Sequence, residues 1–113
     1  MIPQFNNVYG QVIAPSGLRP VQVAAERVLG PGTAAVFRSR SSEIETLRIR
    51  TDAADFETLA LPGGMEYLLN GAVTGTADEI AAFVSALSAA LLELKVEHNF
   101  EVHDGQRVVL SVP

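Results

Sequence analysis

The run Thr76-Ala77-Asp78-Glu79-Ile80-Ala81-Ala82-Phe83-Val84-Ser85-Ala86-Leu87-Ser88-Ala89-Ala90-Leu91-Leu92-Glu93-Leu94 decides how the rest of the chain is read. Its first four residues make a capping box: the Thr76 hydroxyl takes the amide three residues on, Glu79 reaches back, and Asp78 and Glu79 complement the positive end of the helix dipole. Ile80, Phe83, Val84, Leu87, Leu91 and Leu94 then recur at helical spacing, which predicts a long amphipathic helix. The opposite face carries only small residues, Ala81, Ala82, Ser85, Ala86, Ser88 and Ala89, with no charge between Glu79 and Glu93. Such a face lets another backbone come close. A partner chain, this chain's own N-terminal half, or plain solvent could lie against it. The reading carried forward is a partner-binding surface formed by Ala82, Ser85, Ala86 and Ala89.

On either side of this helix the pattern changes to strands. Met65 to Val73 follows the turn Pro62-Gly63-Gly64, and Val96 to Val102 leads through Asp104-Gly105 to Arg107–Val112 as a hairpin. A two-residue turn at Asp104-Gly105 would send Val108, Leu110 and Val112 to the side of Glu97 and Glu101. A three-residue loop, His103-Asp104-Gly105 with Gly105 in the left-handed region, instead pairs Phe100 with Val108, His98 with Leu110 and Val96 with Val112, and sets Glu101 opposite Arg107. The expectation is a C-terminal β-α-β-β unit ending in a bulged hairpin.

Upstream, Val8 to Ile13 reads as a strand stopped by Pro15-Ser16-Gly17. Pro20 to Leu29 reads as a short helix with Pro20 at its start and Gly30-Pro31-Gly32 ending it, a further strand being the alternative. Thr33 to Ser39 and Ile44 to Thr51 form a second hairpin. A loop at Ser41-Ser42-Glu43 places Phe37, Leu47 and Ile49 on one face and Arg38, Arg40, Arg48 and Arg50 together on the other. The expected fold is therefore α+β: a mostly antiparallel sheet of five or six strands with one long helix packed on one face, with room for a second short one beside it.

At 113 residues the chain has room for a single domain, residues 1–113. It contains no cysteine, which excludes disulfides, thiolate catalysis and thiolate metal sites. The longest uncharged helical stretch, Ile80 to Leu92, is thirteen residues; at about 1.5 Å each it falls short of a hydrocarbon core of about 30 Å. The N-terminal residues show neither a basic nor an apolar signal region, so the expected location is the cytoplasm.

Charge is unevenly spread. Residues 1–50 carry +3 and residues 51–113 carry −8, for a net −5. The two halves are expected to attract each other within one fold, and the net charge disfavours nucleic acid while suiting a basic protein partner.

Several groups could carry chemistry. Arg38, Arg40, Arg48 and Arg50 suit an anion, since guanidinium forks match carboxylate and phosphate; the alternative is pairing with Glu97 and Glu101 or with Asp52, Asp55 and Glu57. His98, on the apolar face, reads as a hydrogen-bonded core residue, and His103 as an exposed turn residue. Glu97, Asn99 and Glu101 share a strand face, a weak pattern for a hard cation. Gly71 to Thr76 lies where a phosphate loop would, but has no P-loop lysine and is followed by two acids. The serines have no neighbouring base. No catalytic residue, metal or cofactor is therefore assigned. The functional expectation is a non-enzymatic protein acting by association, as a homodimer or as a toxin-neutralising, immunity-type protein with a basic partner. The alternative is a small enzyme or binding protein holding an anionic small molecule on the arginine-bearing strands.

Overall fold

In the computed structural model the described residues are 2–41 and 44–113. They form β1 (Val8–Ile13), α1 (Arg19–Leu29), β2 (Ala34–Arg38), β3 (Glu45–Arg50), β4 (Ala54–Ala60), β5 (Glu66–Val73), α2 (Ala77–Glu93), β6 (Glu97–Asp104) and β7 (Arg107–Val112). The strands make one sheet in the order β2-β3-β4-β5-β1-β6-β7, with every neighbouring pair antiparallel. β5 and β6 thus run parallel on either side of β1, and α2 spans the crossover between them. α1 spans the other crossover, from the interior strand β1 to β2 at the edge. Both helices pack side by side on the same sheet face.

The α+β class and antiparallel sheet agree with the sequence. The sheet has seven strands rather than five or six, and a second, shorter helix lies beside the long one. The additional strand is β4, whose inward residues Ala54, Phe56, Thr58 and Ala60 are mostly small or polar and so give a faint alternation. Pro20 to Leu29 is helical, as α1, with its proline in the first turn.

α2 forms as its capping box dictates. Thr76 Oγ1 accepts from the Glu79 amide at 3.2 Å, and Glu79 Oε1 accepts from the Thr76 amide at 2.9 Å. The bond from the Thr76 amide, with a smaller contribution from the Thr76 side chain, holds the Glu79 carboxyl below its ordinary pKa. At the other end the Lys95 amide bonds to Leu92 O and the Val96 amide to Leu91 O, a Schellman arrangement with Lys95 in the left-handed region at φ 59°.

The core lies between the sheet and the two helices. Val8, Val12, Leu47, Ile49, Phe56, Leu69, Phe100 and Val102 enter it from the strands; Leu18, Val21, Val84, Leu87 and Leu91 meet them. Two glycines shape the sheet surface under the helices. A Cβ on Gly10 would collide with the Phe100 ring, and one on Gly71 would collide with the Phe56 ring. Gly10 faces Phe100 across β1 and β6, and Gly71 faces Phe56 across β5 and β4, so each ring lies over its cross-strand partner.

Both hairpins differ from the expected registers. In the terminal hairpin Asp104 pairs with Arg107 and Phe100 with Val112, so the turn holds only Gly105 and Gln106. The bulge lies in β7 at Val109, one residue beyond the His103–Val108 pair, and Glu101 faces Ser111 instead of Arg107. Placing the irregularity inside the strand sends Leu110 and Val112 toward the core while Val108 remains exposed. In the first hairpin Val36 pairs with Leu47, and Phe37 pairs with Thr46 on the opposite face. The expected loop Ser41-Ser42-Glu43 includes residues outside the described ones.

Candidate functional site

Register divides the four arginines. Arg48 and Arg50 project from β3 on the face away from the helices, whereas Arg38 sits in the other phase of β2, across from Glu45. Arg40 lies beyond the end of β2. Arg38 reaches Glu45 at 3.5 Å and Arg50 reaches Asp55 at 3.6 Å. Arg48 stands directly across from Glu57. The acids beside the arginines are thus the ones just downstream in sequence, while Glu97 and Glu101 lie several strands away. The Arg27–Glu93 pair at 3.3 Å joins the two helices and links the oppositely charged halves, although exposed pairs of this kind contribute less than about 1 kcal/mol.

His98 is buried between β6 and α2. Its Nδ1 lies 2.8 Å from Val96 O and its Nε2 lies 2.7 Å from Ser88 Oγ. A carbonyl only accepts, so Nδ1 carries a proton and donates; in the neutral ring Nε2 accepts from the Ser88 hydroxyl. His98 is therefore a hydrogen-bonded core residue on the far side of the sheet from Arg48 and Arg50. His103 is on the open side, with Nε2 3.1 Å from Glu101 Oε1.

None of the described residues covers the α2 back face. Ala82, Ser85, Ala86 and Ala89 are all exposed, as is Leu92 at 57%. Ser88, by contrast, turns inward to His98. This disposes of the N-terminal half as the cover for Ala82, Ala86 and Ala89.

The sheet face opposite the helices is uncovered, and sequence reasoning did not anticipate its composition. One row across the strands is Ala35, Arg48, Glu57, Asn70, Tyr9 and Glu101. Beside it lie Phe37 and Leu59, exposed at 57% and 64%, with Leu68, Gln11 and Asn99 continuing toward β6. The carboxylates on this face, Asp55, Glu57, Glu66, Glu97 and Glu101, outnumber the guanidiniums of Arg48 and Arg50. β1, β5 and β6 contain neither Lys nor Arg.

The segment before β1 borders this face. Asn7 pins it: the Asn7 amide donates to Gly71 O at 3.0 Å, and its side chain makes two bonds of 2.9 Å to the Val73 backbone. Ile2, Pro3, Gln4 and Asn6 then wall an open groove of about 660 Å³ over Arg48, Asp55, Glu57 and Asn70. A smaller depression of about 250 Å³ lies over Tyr9, Gln11, Leu68, Asn70, Asn99 and Glu101. The strand alternation that exposes these side chains was legible for β1 and β6. Their convergence was not, because β1 sits between β5 and β6 only through the crossover. Among the described residues no group of three or more His, Asp or Glu side chains could hold a metal ion, and no helix is long and apolar enough to cross a membrane.

No protein-family model matches the chain, and no curated protein matches it in sequence.

Proposed function

We propose that this protein works by association, binding a basic protein partner through its uncovered sheet face. The observation that carries the reading is the makeup of that face: Phe37, Leu59 and Tyr9 are exposed among carboxylates that outnumber the arginines. Exposed apolar side chains rimmed by polar residues mark interaction surfaces, and a negative field speeds encounter with a cationic partner. The immunity-type reading, in which a basic toxin is neutralised, is one form of this association.

Neither an anion site nor a proton-transfer site gains comparable support. Arg48 and Arg50 lie beside Glu57 and Asp55, and His98 is on the other side of the sheet. The exposed, uncharged α2 residues Ala82, Ser85, Ala86 and Ala89 favour a second contact, with another copy of this chain, giving a homodimer.

The test compares wild-type protein with Leu59→Arg/Glu57→Arg as bait in the source cells, followed by reconstitution with the purified partner. A basic protein held stoichiometrically by the wild type and lost from the variant supports the proposal. Equal retention by both, or no stoichiometric partner for either, overturns it. Light scattering of purified wild type and Ala86→Glu decides the homodimer: a dimer mass that falls to monomer in the variant supports it, and a monomeric wild type rejects it.

A further inference from the structure

We propose that the depression over Tyr9 is the anchor point of that association, and that it takes an arginine side chain of the partner. The inference rests on the reading of the sheet face as the binding surface and specifies its chemistry. Tyr9 is 40% exposed, yet two contacts hold its side chain. Its hydroxyl donates to Asn6 O at 3.0 Å, and its ring meets the His103 ring edge-on at a centroid distance of 4.9 Å. An aromatic face fixed in this way is a ready platform for a cation, because little side-chain freedom remains to be lost on binding.

Glu101 is the direct cross-strand partner of Tyr9 on β6. His103 takes only its Oε1, leaving Oε2 available on a half-exposed side chain. Gln11 donates its amide to Glu66 Oε2 at 2.8 Å, which leaves its own carbonyl oxygen as an acceptor beside the depression. Asn99 completes the rim. The site thus offers a ring face, a carboxylate and amide oxygens, on strands that contribute no Lys or Arg of their own. Planarity, several diverging donors and weak hydration fit guanidinium to such a setting better than ammonium, which is compact and strongly hydrated.

The probe is the blocked tripeptide acetyl-Gly-Arg-Gly-amide, compared with its lysine and citrulline counterparts and with hexa-arginine, by titration of amide chemical shifts on the full chain. The expected result is a saturable response centred on Tyr9, Asn99 and Glu101 for the arginine peptide, weaker for lysine and absent for citrulline. Glu101→Gln should weaken binding about tenfold, Tyr9→Leu several-fold, and Tyr9→Phe much less, because the ring face is retained. A lysine peptide binding as tightly as arginine, or arginine binding unchanged in Glu101→Gln, overturns the anchor. If hexa-arginine still perturbs other residues of the sheet face in those cases, the anchor alone fails; if it perturbs none of them, the wider reading fails with it.

Discussion

The Oε1 atom of Glu45 lies 2.8 Å from the amide nitrogen of Leu18, so a strand residue caps a helix that has no cap of its own. Leu18, at the N-cap of α1, offers no side-chain acceptor, and Pro20 removes one donor from the first turn without satisfying the others. Glu45 also takes Arg38 at 3.5 Å through its other oxygen. It thereby ties α1, β2 and β3 at one corner of the sheet.

Replacing Glu45 tests that tie. Glu45→Ala leaves the Leu18 amide without its acceptor and should lower unfolding free energy by about 1–2 kcal/mol. Glu45→Gln keeps an oxygen in place and should lose less, whereas Arg38→Ala, which removes only an exposed ion pair, should cost under about 1 kcal/mol. Urea denaturation of the three variants gives the order, and equal losses for Glu45→Ala and Arg38→Ala would contradict the capping role.

Gly10 and Gly71 make a separate case, because the demand for glycine comes from neighbouring rings rather than from a turn. Gly10→Ala pushes a methyl into the Phe100 ring and against the Leu69 carbonyl oxygen, and Gly71→Ala pushes one into the Phe56 ring and against the Asp55 carbonyl oxygen. Each substitution should cost about 1–3 kcal/mol, the usual range for overpacking a core. Pairing Gly10→Ala with Phe100→Leu should recover part of that loss, since the smaller side chain leaves room beside the new methyl. A double variant no more stable than the sum of the two single losses would show that the ring is not what excludes the methyl.

These glycines also mark where the sequence stopped being readable. The capping box, the α2 stripe and the burial of His98 follow from local spacing and appear in the structure at those residues, and α1 ends at the expected Leu29 but starts one residue early, at Arg19. β4 was missed because Ala54, Thr58 and Ala60 give little apolar signal around Phe56. The first-hairpin register failed on a competition between residues: Phe37 looked like a core residue, but Val36 takes that phase and Phe37 is exposed. That one-residue shift is what separates Arg38 from Arg48 and Arg50. The candidate site depended on strand order. Tyr9, Asn70 and Glu101 are far apart in sequence and meet only because β1 is inserted between β5 and β6.

Lys95 has a backbone conformation that glycine would adopt at lower cost. It occupies the left-handed position after α2, where its own Cβ is disfavoured by about 1–2 kcal/mol. Lys95→Gly relieves that strain and increases unfolded-chain freedom, two effects of opposite sign. The net expectation is a gain of roughly 0.5–1 kcal/mol, with the Val96 to Leu91 bond retained. Thermal unfolding at matched pH measures it. A loss of stability would mean that the Lys95 side chain contributes more than its backbone conformation costs.

Tyr67 links the Glu45 corner to alkaline stability. Burial raises its pKa above the ordinary tyrosine value of 10.0, and the Glu45 carboxylate raises it further, while Arg38 acts in the opposite direction. The folded chain therefore holds the phenol proton more tightly than the unfolded chain does. The resulting stabilisation is complete below about pH 10 and disappears as pH rises through the folded-state value. Tyr67→Phe should flatten this part of the stability profile between pH 9 and pH 12, by denaturant unfolding at each pH, and should remove the ultraviolet titration component lying above the ordinary tyrosine range. Glu45→Gln removes one of the two raising influences, so the Tyr67 component should move down toward its ordinary value. A Tyr67 component that does not move in Glu45→Gln would show that burial alone sets it.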